Sequence, residues 1–192
     1  DGQGLYLSPG YIDLHVHGGG GRSVMEGTKE AICAMADAHA QYGTTSILPT
    51  TLSMDDAALV RAGHAIEEAM EAGSTHATIL GIHFEGPYLS PHQAGAQATD
   101  VLRAPAEADI RPILAFLPSL RMMGIAPELP GAHALGDLLA AHGVVASVAH
   151  SNATYAMVDA AIPHGFCDVT HLYSGCSTVI RENAFRVAGL VD

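Results

Sequence analysis

Histidines and one glutamate stand where apolar segments of the sequence give way to glycine-rich or polar turns. His15 and His17 close the apolar run at residues 11–17, just before four consecutive glycines. Glu85 closes the run at residues 78–85 and is followed directly by Gly-Pro, and His150 and His171 follow two later runs. Because imidazole and carboxylate groups are the usual protein ligands of divalent transition metals, these five residues predict a metal site.

The spacing of the first two histidines supports a shared ion. Side chains alternate along a strand, so His15 and His17 are predicted to point the same way. Taken alone, two histidines with this spacing could also be ordinary buried or surface residues. His83 shares the parity of Glu85, and we expect it to support the site or to pack in the core rather than to bind metal. The other histidines fall on predicted helices, helix ends or loops, and we expect them to be solvated or packing residues: His39, His64, His76, His92, His133, His142 and His164.

Strand and helix signals alternate along the whole chain. A polar segment at residues 86–99 interrupts them, and its length predicts a functional loop. Apolar runs predict strands at residues 11–17, 45–49, 78–85, 121–126, 144–148 and 168–172. Helical spacing predicts helices at residues 28–42, 55–72, within 105–116, 132–142 and 154–162.

Strands that alternate with helices over short connections predict a parallel sheet with right-handed crossovers. A doubly wound sheet and a barrel both fit this pattern. We favour an α/β fold of the (β/α)₈ TIM type, because a barrel gathers the ends of all its strands at one mouth, where the metal candidates would meet. A complete barrel needs about 250 residues. Residues 1–192 are therefore expected to form one incomplete barrel domain of about six strand–helix units.

The composition of the chain disfavours several kinds of partner and several kinds of enzyme. The formal net charge of −12 argues against nucleic acid or an anionic membrane as a partner. No apolar stretch reaches the length of about 18 residues needed to span a membrane, and three cysteines without metal-type spacing suggest a reducing, cytoplasmic location. The one lysine, Lys29, lies at a predicted helix start, which argues against a Schiff-base enzyme, a phosphate-loop enzyme or a bridging modified lysine.

Five segments carry a family resemblance that extends from Pro9 to Asp192. They read PGYIDLHVHG, GIHFEGPYL, GIAPELPG, AHSNAT and THLYSG. In this order they resemble the N-acetylglucosamine-6-phosphate deacetylases of the amidohydrolase superfamily. The first segment alone is common to many amidohydrolases, whereas the glutamate segment and the two later histidine segments are much more specific.

The resemblance implies a metal-dependent amide hydrolase. It implies that Glu85, His150 and His171 bind the principal ion and that His15 and His17 complete a second position. The ion would be zinc, iron, cobalt or manganese. Metal-activated water would release acetate from N-acetylglucosamine 6-phosphate and leave glucosamine 6-phosphate.

The resemblance also implies substrate contacts, assembly and a general base. Backbone groups near Ala96 and near Ser174 and Gly175 would hold the sugar, with Arg181 a candidate for the phosphate. Gln97, which stands where some relatives have histidine, is a further candidate substrate contact. The resemblance implies a homodimer and places the proton-transferring aspartate on a later strand. That strand is expected beyond Asp192, so we assign no general base within the chain and expect the isolated chain to be nearly inactive.

Two other readings stay open. A different amidohydrolase could act on a cyclic amide or a nucleobase, although the lack of a lysine at any predicted strand end disfavours the lysine-bridged kind. The chain could also be a metal-binding fragment without activity.

Overall fold

Six strands lie side by side in chain order in the sheet that brings the candidate ligands together. The structure is a computed structural model, and it describes residues 2–73, 75–178, 180–182 and 185–187. Neighbouring strands are parallel throughout. The strands are β1 (Tyr11–Val16), β2 (Thr44–Thr51), β3 (Ile82–Glu85), β4 (Leu120–Ile125), β5 (Val145–Val148) and β6 (Phe166–Val169).

Helices follow most of these strands, and their ends are set by the residue types beside them. The side chains of Thr28, Asp55 and Thr154 each accept a backbone N–H at a helix start, which replaces a hydrogen bond that the first turn lacks. Gly73 ends the second helix in the left-handed conformation that glycine adopts freely. The helices are α1 (Lys29–Ala40), α2 (Asp56–Ala72), α3 (Glu107–Phe116), α4 (Ala132–Ala141) and α5 (Tyr155–Ala161).

The apolar core lies between the sheet and the helices. Ile47, Phe84 and Met123 of the strands belong to one buried cluster with Ile66 of α2 and Leu135 of α4. Burying a side chain of this size stabilises a fold by about 1.5–3 kcal/mol. The parallel sheet, curled with its helices outside, is an incomplete TIM-type barrel, and this confirms the fold class predicted from the sequence.

The third and sixth strands differ most from the predicted bounds. Residues 78–85 do not form one strand: the short strand Thr78–Ile79 pairs with β2, and β3 begins only at Ile82. Gly81 lies between them with φ 148°, a conformation that L side chains rarely adopt. The sixth strand ends at Val169 rather than residue 172, because the backbone turns there and the N–H of Ser174 donates to the carbonyl oxygen of His171.

Short hairpins and 3₁₀ helices lie outside the main sheet and the five helices. Gly18–Gly19 pairs with Arg22–Ser23 in a short hairpin, and Ile180–Glu182 pairs with Phe185–Val187 in another. The segment 86–99 contains the short 3₁₀ helix Pro91–Gln93, and a second one, Thr99–Val101, begins at its last residue. Within the described residues, no helix combines the length and apolar character that crossing a membrane requires.

Candidate metal centre

The carboxylate of Glu85 is the point where the five predicted metal ligands meet. Its Oε1 lies 2.8 Å from Nε2 of His171 and 3.1 Å from Nε2 of His150. Its Oε2 lies 3.2 Å from Nε2 of His17, and Oε1 lies 3.5 Å from Nε2 of His15. Glu85 is 1% exposed, so this carboxylate has almost no access to solvent. Residues as far apart in sequence as His15 and His171 therefore share one small volume.

Different local structures place the five side chains. His15 lies within β1, His17 follows its last residue, and Glu85 ends β3. His150 and His171 stand two residues beyond the ends of β5 and β6, in turns rather than in the strands themselves. Their φ angles are 44° and 56°, in the left-handed region that costs a non-glycine residue energy. Both turns are therefore held by the surrounding structure, not by local preference.

Backbone carbonyl groups orient two of the imidazole rings. Nδ1 of His17 lies 3.0 Å from the carbonyl oxygen of Thr50, and Nδ1 of His150 lies 2.7 Å from that of Gln93. A carbonyl oxygen can only accept, so each Nδ1 carries the hydrogen and donates it. Nε2 of each ring then faces Glu85. Metal-binding histidines are usually held this way, with the second ring nitrogen bonded to an outer partner.

The electrostatics of the cluster favour an ionised carboxylate. Burial opposes ionisation of Glu85, but hydrogen bonds from His150 and His17 outweigh it and hold the pKa of this carboxyl well below its usual range. Burial lowers the pKa of His15 to about 3, so this ring is neutral near pH 7 and its nitrogen lone pair is free to bind a cation. For His17, burial acts against protonation, yet the contact with Glu85 leaves the pKa raised.

These donors fit a divalent transition metal. Ligand atoms of His15, Glu85 and His171 all lie within 4.8 Å of one another. One anionic carboxylate and several imidazoles are the donor set that zinc, iron, cobalt and manganese share. His17 extends this group on the Oε2 side of the carboxylate, and His150 contacts Oε1. The cluster can therefore bind a cation between rings that the backbone already orients.

Gln97 lies against the carboxylate. Its Nε2 donates to Oε2 of Glu85 at 2.6 Å, and its Oε1 accepts the backbone N–H of Ser53 at 2.8 Å. The side-chain amide thus connects the loop after β2 with the glutamate at the end of β3. The sequence predicted a substrate contact at Gln97. The structure puts its amide on the proposed ligand Glu85, and the residue is only 8% exposed.

His83 packs beneath the cluster. Its Nδ1 lies 3.0 Å from the carbonyl oxygen of Leu14, and its ring centroid lies 5.1 Å from that of His15. Burial lowers its pKa to about 4, so the ring is neutral. His83 therefore supports the strand that carries His15 and lies in the core, which are the two roles expected from its parity with Glu85.

A cavity of about 350 Å³ adjoins the cluster and contains three of the predicted substrate residues. The N–H groups of Ser174 and Gly175 and the hydroxyl of Ser174 all donate to the carbonyl oxygen of His171. Arg181 lies in the strand Ile180–Glu182, and its side chain is outside the described part of the chain. The cavity is lined by His92, Gln93, Gly95, Ala96, His150, His171, Ser174 and Gly175.

The residues that sequence reasoning missed are in this lining. His92 was assigned to packing or solvent, and Gln93 and Gly95 were not singled out. All three lie in the segment 86–99, whose length had predicted a functional loop. That loop was the available signal, but only the folded chain shows which of its residues face the cavity.

Comparison with known proteins agrees with this geometry. The family model described as the amidohydrolase family matches residues 6–185, almost the whole chain. The chain belongs to the amidohydrolase family. This amidohydrolase chain is 33% identical over 175 residues to an N-acetylglucosamine-6-phosphate deacetylase of Lysinibacillus sphaericus, covering 91% of the chain and 45% of that relative.

Two further relatives carry related names. An N-acetylgalactosamine-6-phosphate deacetylase of Escherichia coli O157:H7 is 33% identical over 188 residues, which cover 97% of this amidohydrolase and 50% of that relative. A solved structure of N-acetyl-D-glucosamine-6-phosphate deacetylase from Mycobacterium smegmatis, a mutant in complex with N-acetyl-D-glucosamine 6-phosphate, superposes with a TM-score of 0.85 at 32% identity. It covers 95% of this chain and 46% of that one. The chain thus spans about half the length of the relatives it matches, and the predicted resemblance is confirmed.

Proposed function

We propose that the protein removes the N-acetyl group from an amino-sugar 6-phosphate, with N-acetylglucosamine 6-phosphate as the preferred substrate. Water would add to the amide carbon, the carbon–nitrogen bond would break, and the products would be acetate and glucosamine 6-phosphate. The observation that carries this proposal is the convergence of four imidazoles on the buried Glu85 carboxylate, beside a cavity of sugar-sized volume.

The proposed ligands divide into two groups. Glu85, His150 and His171 would hold the principal ion, and His15 with His17 would complete a second position. A bound divalent cation supplies Lewis acidity, which lowers the pKa of its water towards neutrality and polarises a carbonyl group. We propose that one or two divalent ions bind and that they are zinc, iron, cobalt or manganese.

The chain's own groups would bind and orient the sugar. We expect backbone groups near Ala96 and near Ser174 and Gly175 to contact the sugar, since these residues line the cavity next to His150 and His171. Gln97, bonded to Oε2 of Glu85, would keep that carboxylate oriented while substrate enters. Arg181 is proposed for the phosphate on the resemblance alone.

Proton transfer needs a further group. The oxygens of Glu85 are already engaged by histidines and by Gln97, so Glu85 is a poor candidate for moving a proton to the leaving amine. We propose that the general base is the aspartate implied by the resemblance and that it is not among the described residues. General acid–base groups contribute about 10²–10⁴-fold to a rate.

The epimeric substrate is a second candidate. Relatives with the same identity of 33% are named for N-acetylglucosamine 6-phosphate and for N-acetylgalactosamine 6-phosphate. The two sugars differ only at one hydroxyl group, and a site that hydrogen-bonds that hydroxyl can separate them strongly.

A substrate panel tests these proposals. Acetate release would be measured on both 6-phosphates, on unphosphorylated N-acetylglucosamine and on a cyclic amide, with metal supplied and again after chelation. We expect the highest kcat/KM on N-acetylglucosamine 6-phosphate and loss of activity on chelation. Arg181→Ala should raise KM for the phosphorylated sugar alone. A preference for the cyclic amide would overturn the deacetylase proposal, and equal values with and without phosphate would overturn the phosphate contact.

Assembly as a homodimer is proposed from the resemblance. Sedimentation of the purified protein at several concentrations would test it, and a single monomeric species would contradict it.

A further inference from the structure

One motif of the sequence has no part in the proposed chemistry. The segment GIAPELPG begins at the end of β4 and carries Glu128, whose side chain is half-buried in the loop before α4. Oε2 of Glu128 accepts the hydroxyl of Ser151 at 2.7 Å, and Oε1 accepts the backbone N–H of Asn152 at 2.6 Å. The carboxylate thus binds two consecutive residues of the turn that begins at His150.

Ser151 joins three loops. Its backbone N–H donates to the carbonyl oxygen of Gly175, and its own carbonyl oxygen accepts the N–H of Ser177. Its hydroxyl oxygen also accepts the N–H of Ala153 at 3.0 Å while donating to Glu128. Ser151 is fully buried, so these bonds are shielded from water. The carboxylate of Glu128 is therefore connected through one residue to the turn that follows His171.

The two turns need such support. His150 and His171 have positive φ angles of 44° and 56°, which cost a non-glycine residue about 1–3 kcal/mol each and persist only where the surroundings enforce them. No contact of the histidine rings alone fixes the backbone between His150 and Asn152. Hydrogen bonds to an ionised acceptor are about twice as strong as neutral ones, which suits Glu128 to hold this backbone.

We propose that Glu128 is a positioning residue that holds His150, and through Ser151 the turn after His171, in the conformation that binds metal. The proposal rests on the metal site of the proposed function. Groups that orient metal ligands from outside typically change metal affinity or activity by about 10–100-fold when mutated. We expect Glu128→Gln to weaken Co²⁺ binding within that range, because an amide offers one acceptor where the turn uses two.

The test compares wild type, Glu128→Gln, Ser151→Ala and the double variant. Glu107→Gln is the matched control, since Glu107 pairs with Arg111 on the exposed surface of α3. Co²⁺ affinity and the visible absorption spectrum of the cobalt-loaded protein report ligand geometry. Amide hydrogen exchange over residues 150–155 and 171–177 without metal reports whether the turns are held. We expect weaker affinity, an altered spectrum and faster exchange in Glu128→Gln, and a double variant no worse than the more affected single variant.

The possible outcomes distinguish the proposed metal site from the proposed role of Glu128. A wild-type protein that takes up no cobalt contradicts the metal site itself. A wild-type protein that binds cobalt, with Glu128→Gln equal to it in affinity, spectrum and exchange, overturns only the role of Glu128. If Glu128→Gln fails to fold, Ser151→Ala decides, because it removes one of the two donors to the same carboxylate and should reproduce the faster exchange.

Discussion

Glu85 brings four histidines together that would otherwise have no common partner. Its two oxygens lie 2.8–3.5 Å from four Nε2 atoms, whereas direct contact between the rings is limited to pairs such as His15 and His17, with their Nε2 atoms 3.1 Å apart. Without the carboxylate, the rings would present similar lone pairs or like charges to one another. The negative charge at this position therefore organises the site before any cation arrives.

Replacing Glu85 and His171 together by alanine should abolish stoichiometric metal binding. The pair supplies two of the three proposed ligands of the principal ion, and the remaining imidazoles bind a cation weakly without the carboxylate. Elemental analysis of purified, folded protein gives the metal content per chain. The control is Glu107→Ala, which removes an exposed carboxylate on α3. Unchanged metal content in the double variant would refute the assignment of the site.

Replacing His15 and His17 together by alanine should remove one metal position and spare the other. The pair reaches the carboxylate from β1, while His150 and His171 contact Oε1 from the turns after β5 and β6. Titration with a chromogenic chelator would count ions before and after. A wild-type content of one ion per chain that the double variant retains would show that the second position does not exist.

The residue types of the site could be predicted from the sequence, but the conformations of its ligands could not. Parity along a strand placed His15 and His17 on one side, and the turn residues after Glu85 marked a strand end. The left-handed backbone of His150 and His171 depends on hydrogen bonds from distant loops, for instance from the N–H of Ser90 to the carbonyl oxygen of His150. No local pattern encodes such contacts. Gln97 is similar, since its partners Ser53 and Glu85 lie 44 and 12 residues away.

At the scale of elements, most of the helices and strands could be predicted from the periodic spacing of apolar residues and from the residues that begin and end helices. The five predicted helices are present, because caps such as Thr28 and Asp55 and a stop such as Gly73 are local signals. The break at Leu80–Gly81 was missed. The apolar period continues through it, whereas Gly81 lies so close to Ser119 that an added Cβ would stand 2.5 Å from its carbonyl oxygen.

A substitution in helix α4 can test whether the gain in helix propensity or the steric cost of tight packing decides the stability of the fold. Gly136→Ala should stabilise an isolated helix by about 1 kcal/mol. In the fold, the added Cβ would lie 2.2 Å from the carbonyl oxygen of His164 and 2.9 Å from the ring of Phe166. Since a backbone carbonyl moves little, we expect the free energy of unfolding to fall by about 1–3 kcal/mol, the range for overpacking. Denaturant unfolding monitored by circular dichroism would measure it.

Gly63→Ala in α2 is the matched control for this prediction. The added Cβ at that position would meet the end of the Leu117 side chain at 2.5 Å, and a leucine side chain can rotate where a carbonyl cannot. We therefore expect a smaller loss than at Gly136. Equal losses, or a gain at Gly136, would mean that the loop bearing His164 yields easily and that helix propensity dominates.

At the scale of the whole molecule, the sheet has two edges that no strand of the described residues pairs with. Among the described residues, β1 pairs only with β2, and β6 pairs only with β5 within the sheet. Along β1, large apolar side chains stand open to solvent, with Tyr11 at 73% and Ile12 at 65% exposure. Unpaired strand edges with apolar side chains invite pairing with another chain.

We expect the 192-residue polypeptide on its own to associate as its concentration rises. Light scattering coupled to gel filtration would show the mass increasing with loading concentration. Ile12→Lys places a charge on the exposed edge and should reduce the association, while Leu80→Lys, at an exposed position away from both edges, should not. A constant monomeric mass at high concentration would contradict the prediction.

The long separation between the ligands affects how the site comes into being during synthesis. Glu85 and His171 are 86 residues apart. A ribosome adding about 5–20 residues per second needs roughly 4–17 seconds to travel that distance. Throughout this interval the nascent chain has β1 and β3, with His15, His17 and Glu85, but not the last imidazole. The complete set of proposed ligands therefore exists only once residue 171 has been added, and a metal ion that arrives earlier meets an incomplete set of donors.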